Sequence, residues 1–153
     1  MAIKIVVESA HIKRFLAKLD GYPRVRERHL KTAMVRATRE LQRAVKAATP
    51  VRTGRLRSGW KIRMNRARLG RLVNRVPYGV FIIKGTKAHH IYPRNKKVLK
   101  FKIGGKDVFA AHVFHPGTKA NDFVSRASRK AEGKIQRIFK QEMEEALKEL
   151  KVN

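Results

Sequence analysis

"ATPVRTGRLRSGW", Ala48 to Trp60, is the stretch at which the chain changes its period. Upstream, between Arg24 and Ala48, the apolar residues Leu30, Ala33, Met34, Ala37, Leu41, Ala44, Val45 and Ala48 recur mostly at intervals of three and four. That is one stripe of a long helix, and Arg36, Arg39, Arg43 and Lys46 fall largely off it. Thr49-Pro50 ends the helix, because a residue before proline avoids helical dihedrals. Downstream, Leu56, Ser58, Trp60, Ile62 and Met64 alternate with Arg55, Arg57, Gly59, Lys61 and Arg63. Alternation of period two predicts a half-buried strand with a basic outer face.

Working outward, Met1 to Glu8 reads as a first strand, too short and too charged for a signal peptide. Ser9 is placed to cap a short helix carrying Ile12, Phe15, Leu16 and Leu19, stopped at Asp20-Gly21. Pro23 suits the first turn of the long helix. Beyond Met64, Asn65 to Gly70 reads as a turn and Leu72 to Val76 as a returning strand. Tyr78 to Ile83 fits either a helical turn or a strand. His90 to Pro93 and Val98 to Ile103 read as extended, Gly104-Gly105 as a hairpin signal, and Val108 to Phe114 as the return. Asn121 is a credible N-cap with Asp122 in the first turn. Phe123, Val124, Ala127, Ala131, Ile135, Ile138, Phe139, Met143, Leu147 and Leu150 then mark a second long helix, interrupted only by Gly133. The expected fold is a single α+β domain over residues 1–153. Its curved antiparallel sheet is packed by a long helix in the N-terminal half and a long C-terminal helix.

A chain of 153 residues buries enough surface to stand without staples. It has no cysteine, which excludes disulfides, thiolate metal sites and a cysteine nucleophile. No window approaches a membrane span, so a soluble protein folded inside a cell is expected. Charge dominates the composition: 38 Lys and Arg against 11 Asp and Glu, a net of +27. The excess is concentrated between Arg24 and Arg75, where the only acids are Glu27 and Glu40, and Glu142, Glu144, Glu145 and Glu149 lie near the C-terminus. Such a surplus favours polyanionic or acidic partners.

Gly-Thr-Lys-Ala occurs twice, at 85–88 and 117–120, each copy after an apolar run and beside histidines. Two chemistries are open to such a pair of loops. Zinc would need three or four ligands. On strands, His89 and His90 point oppositely, and so do His112 and His115, so the four do not readily converge. A metal-free ribonuclease would pair His90 and His115 as base and acid, with Lys87 or Lys119 stabilising the phosphorane. There is no nucleophile elbow, no phosphate-binding loop and no paired acidic dyad. Sequence-nonspecific nucleic-acid binding is a further alternative, through phosphate contacts from Arg55, Arg57, Lys61 and Arg63. The aromatic residues do not form the stacking pattern of an RNA-recognition sheet.

Three segments, in order, carry a resemblance. "ATPVRTGRLRSGW" contains Pro-x-x-Thr-Gly-x-Leu. "VPYGVFIIKGTKAHHIYP" (Val76 to Pro93) is similar to a "Pro-Tyr-Ala … Glu-x-Gly-Thr" segment, with Ile83 where that pattern is acidic. "VFAAHVFHPGTKANDFVSRA" (Val108 to Ala127) leads into the last helix. From Arg24 to the C-terminal helix the chain resembles the tail-completion or head–tail joining proteins of tailed bacteriophages and prophages, also called neck or minor tail proteins. The resemblance implies a non-enzymatic virion protein, assembled in the host cytoplasm, with no cofactor, no metal and no membrane. It implies a homo-oligomeric ring, often hexameric, around the DNA channel. The implied partners are tail-tube, tail-terminator and head-connector proteins, with nonspecific contact to DNA. The expected interface residues are Arg52, Thr53, Gly54, Arg55, Arg57, Lys84, Gly85, Thr86, Lys87, His89, His90, His115, Pro116, Gly117, Thr118 and Lys119.

Overall fold

The computed structural model describes residues 3–6, 13, 16–64 and 70–152. Their order is β1 (Ile3–Val6), α1 (Pro23–Ala48), α2 (Arg55–Ser58), β2 (Trp60–Met64), β3 (Gly70–Asn74), α3 (Gly79–Lys84), β4 (His89–Ile91), β5 (Leu99–Ile103), β6 (Lys106–Ala110), β7 (Val113–His115) and α4 (Phe123–Val152). The class is α+β, and every strand pair is antiparallel. The strands divide among three small sheets, ordered β1-β3-β2, β4-β7 and β5-β6. Contacts group the chain into two compact units: Met1–Val80 with Asp122–Asn153, and Phe81–Asn121. Among the described residues no helix is long and apolar enough to cross a membrane.

In the first unit α1 supplies the core. Pro23 starts it, where a missing N–H costs nothing. Leu30, Ala33, Met34, Ala37, Thr38, Leu41 and Val45 are its buried face. One side of that face meets β2 and β3, and another meets α4. Helix α4 buries Phe123, Ala127, Ala131, Ile135, Phe139 and Ala146, mostly at every fourth position. Gly133 faces open space, and the helix runs through it. The two helices are antiparallel, as their ion pairs show. Glu40 meets Lys134 at 3.2 Å, while Glu142 and Glu149 at the far end of α4 meet His29 at 3.2 and 3.1 Å. Arg36 also reaches Glu142, and Arg28 reaches Glu149. Several of the few acids are thus spent holding one helix on the other.

The sheet approaches α1 closely. A Cβ on Gly70 would lie 1.9 Å from the Thr38 hydroxyl, so only glycine fits at that crossing. Three polar groups buried there are satisfied internally. The Thr49 hydroxyl donates to the Val45 carbonyl at 2.6 Å and accepts from the Trp60 indole N–H at 3.0 Å. The Asn74 side chain donates to the Leu56 carbonyl at 2.8 Å and accepts from the Val76 N–H at 3.0 Å.

Three local expectations change. Residues 55–58 form a helical turn, not the start of a strand: Ser58 N–H donates to the Gly54 carbonyl and Gly59 N–H to that of Arg55. The return strand ends at Asn74. The α4 cap is Asp122 rather than Asn121, because its carboxylate accepts the Ser125 N–H at 3.2 Å. The expected helix cap at Ser9, with Ile12 and Phe15, lies outside the described residues, as do positions 65–69. Residues 16–18 are helical, and Leu19 is buried.

The second unit holds four strands in two antiparallel ribbons, with very little interior. β5 and β6 form a hairpin whose two-residue turn, Gly104-Gly105, has φ of 56° and 84°. Positive φ at both positions is the type I′ geometry that glycine accepts without strain. The expected return strand from Val108 to Phe114 is broken at Ala111-His112, so that β6 pairs with β5 and β7 with β4.

Candidate interaction surfaces

The repeated tetrapeptide is a matched pair. Thr86 and Thr118 form an antiparallel bridge, Thr86 N–H donating to the Thr118 carbonyl at 2.9 Å and Thr118 N–H to that of Thr86 at 3.1 Å. A local two-fold axis through this bridge carries one Gly-Thr-Lys-Ala onto the other. The glycines confirm it. Gly85 has φ of 73° and Gly117 of 92°. A Cβ on Gly85 would sit 2.4 Å from the Thr118 carbonyl oxygen, and one on Gly117 would sit 2.4 Å from that of Thr86. Each glycine permits the close approach of the other copy, which is why the turn is written twice.

From this bridge the ladder continues in the same register to His89↔His115, His90↔Phe114 and Ile91↔Val113. Its side chains sort into two faces. On one, the His89 and His115 rings stack at 5.2 Å. On the other, His90 meets Phe114 at 5.1 Å and His112 at 5.6 Å, and Tyr92 stacks on His112 at 5.7 Å. His90 and His115 therefore face opposite ways, and the acid–base pair needed for a ribonuclease is not formed. Nor does any cluster of three or more potential ligands for a metal ion occur among the described residues.

The His89–His115 face opens into a groove of about 690 Å³ lined by Phe81, Ile91 and the two Gly-Thr-Lys-Ala turns. Lys87, His89, Thr118 and Lys119 are exposed along this ribbon, and Thr86, His115 and Gly117 are half-buried. More broadly, none of residues 81–121 is buried. The unit nonetheless carries seven of the eleven exposed large apolar side chains among the described residues: Phe81, Ile91, Tyr92, Val98, Ile103, Phe109 and Phe114. Sequence reasoning singled out the glycines, lysines and histidines here but missed these apolar groups. Four of them, Ile91, Ile103, Phe109 and Phe114, lie on short strands, Phe81 lies on α3, and Tyr92 and Val98 fall between strands.

The remaining expected interface residues lie in the other unit. Arg52 and Thr53 are exposed in the loop before α2, and Gly54 adopts φ of 77°. Arg55 and Arg57 stand on α2 itself. Of the four basic residues expected on one strand face, only Lys61 and Arg63 share a strand. Arg55 joins them around a groove of about 300 Å³ that Arg75 also lines, and Arg57 does not.

Residues 13–88 match the family model described as "Bacteriophage HK97-gp10, putative tail-component". No curated protein and no solved structure matches the chain. Over residues 13–88, just under half of its length, the chain is similar to this family of phage tail components, in agreement with the resemblance carried by "ATPVRTGRLRSGW" and by most of "VPYGVFIIKGTKAHHIYP".

Proposed function

We propose that this chain, similar to the HK97-gp10-like tail-component family, is a structural subunit of the tailed-phage particle that closes into a ring at the tail end or neck. The ring, hexameric in our expectation, would surround the DNA channel and join tail-tube or terminator proteins to the head connector. One observation carries the reading: the unit of residues 81–121 has no buried residue, yet presents seven large apolar side chains. About 40 residues is near the lower limit for a self-sufficient core, and exposed apolar surface of this kind marks protein interfaces. The ribbons also present open strand edges, which invite pairing with another chain. Closed symmetric rings are a common outcome when one chain supplies both sides of such a contact. The role asked of the protein is positional, and His90 and His115, the pair expected for ribonuclease chemistry, face opposite ways.

Light scattering after size exclusion, with nucleic acid removed at high salt, tests this reading. A discrete mass that stays constant as concentration rises is expected. Mass that climbs without limit, or a monomer that stays monomeric when tail-tube and connector proteins are added, would overturn it.

A further inference from the structure

The three-stranded sheet has one buried and one open face. Trp60, Leu72 and Asn74 are fully buried on the side that meets α1. Alternation then turns Lys61 and Arg63 the other way. Register extends this second face across the sheet: Lys4 and Lys61 flank Val73 in one row, and Arg71 stands opposite Arg63 in the next. Arg55 and Arg75 complete it at the groove beside Lys61 and Arg63. None of these six cations has a carboxylate partner among the described residues, whereas Arg26, Arg28, Arg36 and Arg43 all do.

Two details point to a ligand. Like charges placed directly opposite on neighbouring strands destabilise a sheet, yet Arg63 and Arg71 are so placed. The Arg71 Nε is also buried without a hydrogen-bond partner. An anion lying across the two guanidinium groups would remove the repulsion. Four of the six cations are arginines, whose planar forks match phosphate oxygens in pairs.

We infer that the open face of the β1-β3-β2 sheet binds the phosphate backbone of duplex nucleic acid, through Lys4, Arg55, Lys61, Arg63, Arg71 and Arg75. An acidic protein is the weaker fit, because protein interfaces are anchored by apolar and aromatic side chains. The strand positions of this face offer two valines, Val6 and Val73, and no aromatic residue. Without aromatics the face does not stack unpaired bases, so binding is sequence-blind and electrostatic. The face lies in a different unit from the ribbons proposed for assembly, and the two proposals stand or fall separately.

The test is fluorescence anisotropy with two short duplexes of unrelated sequence, titrated with salt. Both should bind alike. The Lys61→Gln/Arg63→Gln variant should lose on the order of 100-fold in affinity and about 2 from the salt slope. Lys96→Gln/Lys97→Gln, with the same loss of charge in exposed residues of the other unit, should lose no more than roughly threefold. If the first variant is misfolded by circular dichroism, Arg75→Gln takes its place, with about half the change in slope. Equal losses in both charge-matched variants would overturn the assignment. So would displacement of duplex by polyglutamate at a lower charge concentration than unlabelled duplex requires, which would assign the face to acidic protein.

Discussion

Replacing Gly85 with alanine probes the paired turns directly. Gly85 sits at φ of 73°, so a side chain there adopts the left-handed region at a cost of about 1–2 kcal/mol. The new Cβ would also stand 2.4 Å from the Thr118 carbonyl oxygen and 2.8 Å from the Ala120 nitrogen. Both are backbone atoms, and real Cβ contacts do not come so close, so the strands must part. Parting them breaks the two reciprocal hydrogen bonds between Thr86 and Thr118, each worth about 0.5–1.5 kcal/mol. The sum is about 2–5 kcal/mol, confined to this unit. Amide hydrogen exchange reads it residue by residue. The Thr86 and Thr118 amides should exchange roughly 30- to 4,000-fold faster, or reach the unprotected rate. Gly104→Ala is the control: its φ is 56°, but nothing lies near its Cβ, so it should leave both amides unchanged. Gly117→Ala should act like Gly85→Ala, and the double variant should add little, because both break one bridge. Unchanged protection in Gly85→Ala would refute the matched-pair account.

Other consequences lie in the first unit. Thr49→Val keeps the shape but leaves the buried Trp60 indole N–H without an acceptor, and urea unfolding should show a loss of about 1–3 kcal/mol. Gly70→Ala drives a methyl into the Thr38 hydroxyl, and a loss of about 1–3 kcal/mol or more is expected. Adding Thr38→Ala should recover part of that loss, whereas simple additivity of the two changes would contradict the contact. The His29 and Arg28 contacts hold the Glu149 carboxyl below its usual range, and the Ser125 backbone N–H does the same for Asp122. A carboxylate held low in the folded state stabilises it above the unfolded value, and that contribution is lost as pH falls through the folded one. Stability should therefore drop on acidification below about pH 4.5, and Glu149→Gln should shallow that drop.

The long elements were legible because each repeats one period over many turns. Helix α1 ends where Thr49-Pro50 says it must, and α4 follows its stripe through Gly133, whose missing side chain faces open space. The Gly104-Gly105 hairpin was equally plain. Residues 55–58 misled because Arg-Leu-Arg-Ser is too short to distinguish the periods: Leu56 is buried in a strand reading and in a helical turn alike. The break at Ala111-His112 was invisible because a change of pairing partner leaves no local mark. The opposite facings of His89 and His90 followed from alternation. The pairing of the two Gly-Thr-Lys-Ala copies did not, since it depends on register between strands distant in sequence. For the same reason Lys4, Arg71 and Arg75 joined the basic face only once β1, β2 and β3 were aligned.

Because the chain has no cysteine, a single introduced thiol reports on one position. With Ile91→Cys in the groove of the β4–β7 ribbon and Lys130→Cys at an exposed position of α4, maleimide labelling rates can be compared in the assembled and dissociated protein. Assembly through residues 81–121 predicts that the thiol at position 91 labels at least roughly tenfold more slowly when assembled, while that at position 130 is unaffected. Equal labelling of position 91 in both forms would contradict the claim that this unit completes its core against a neighbouring subunit.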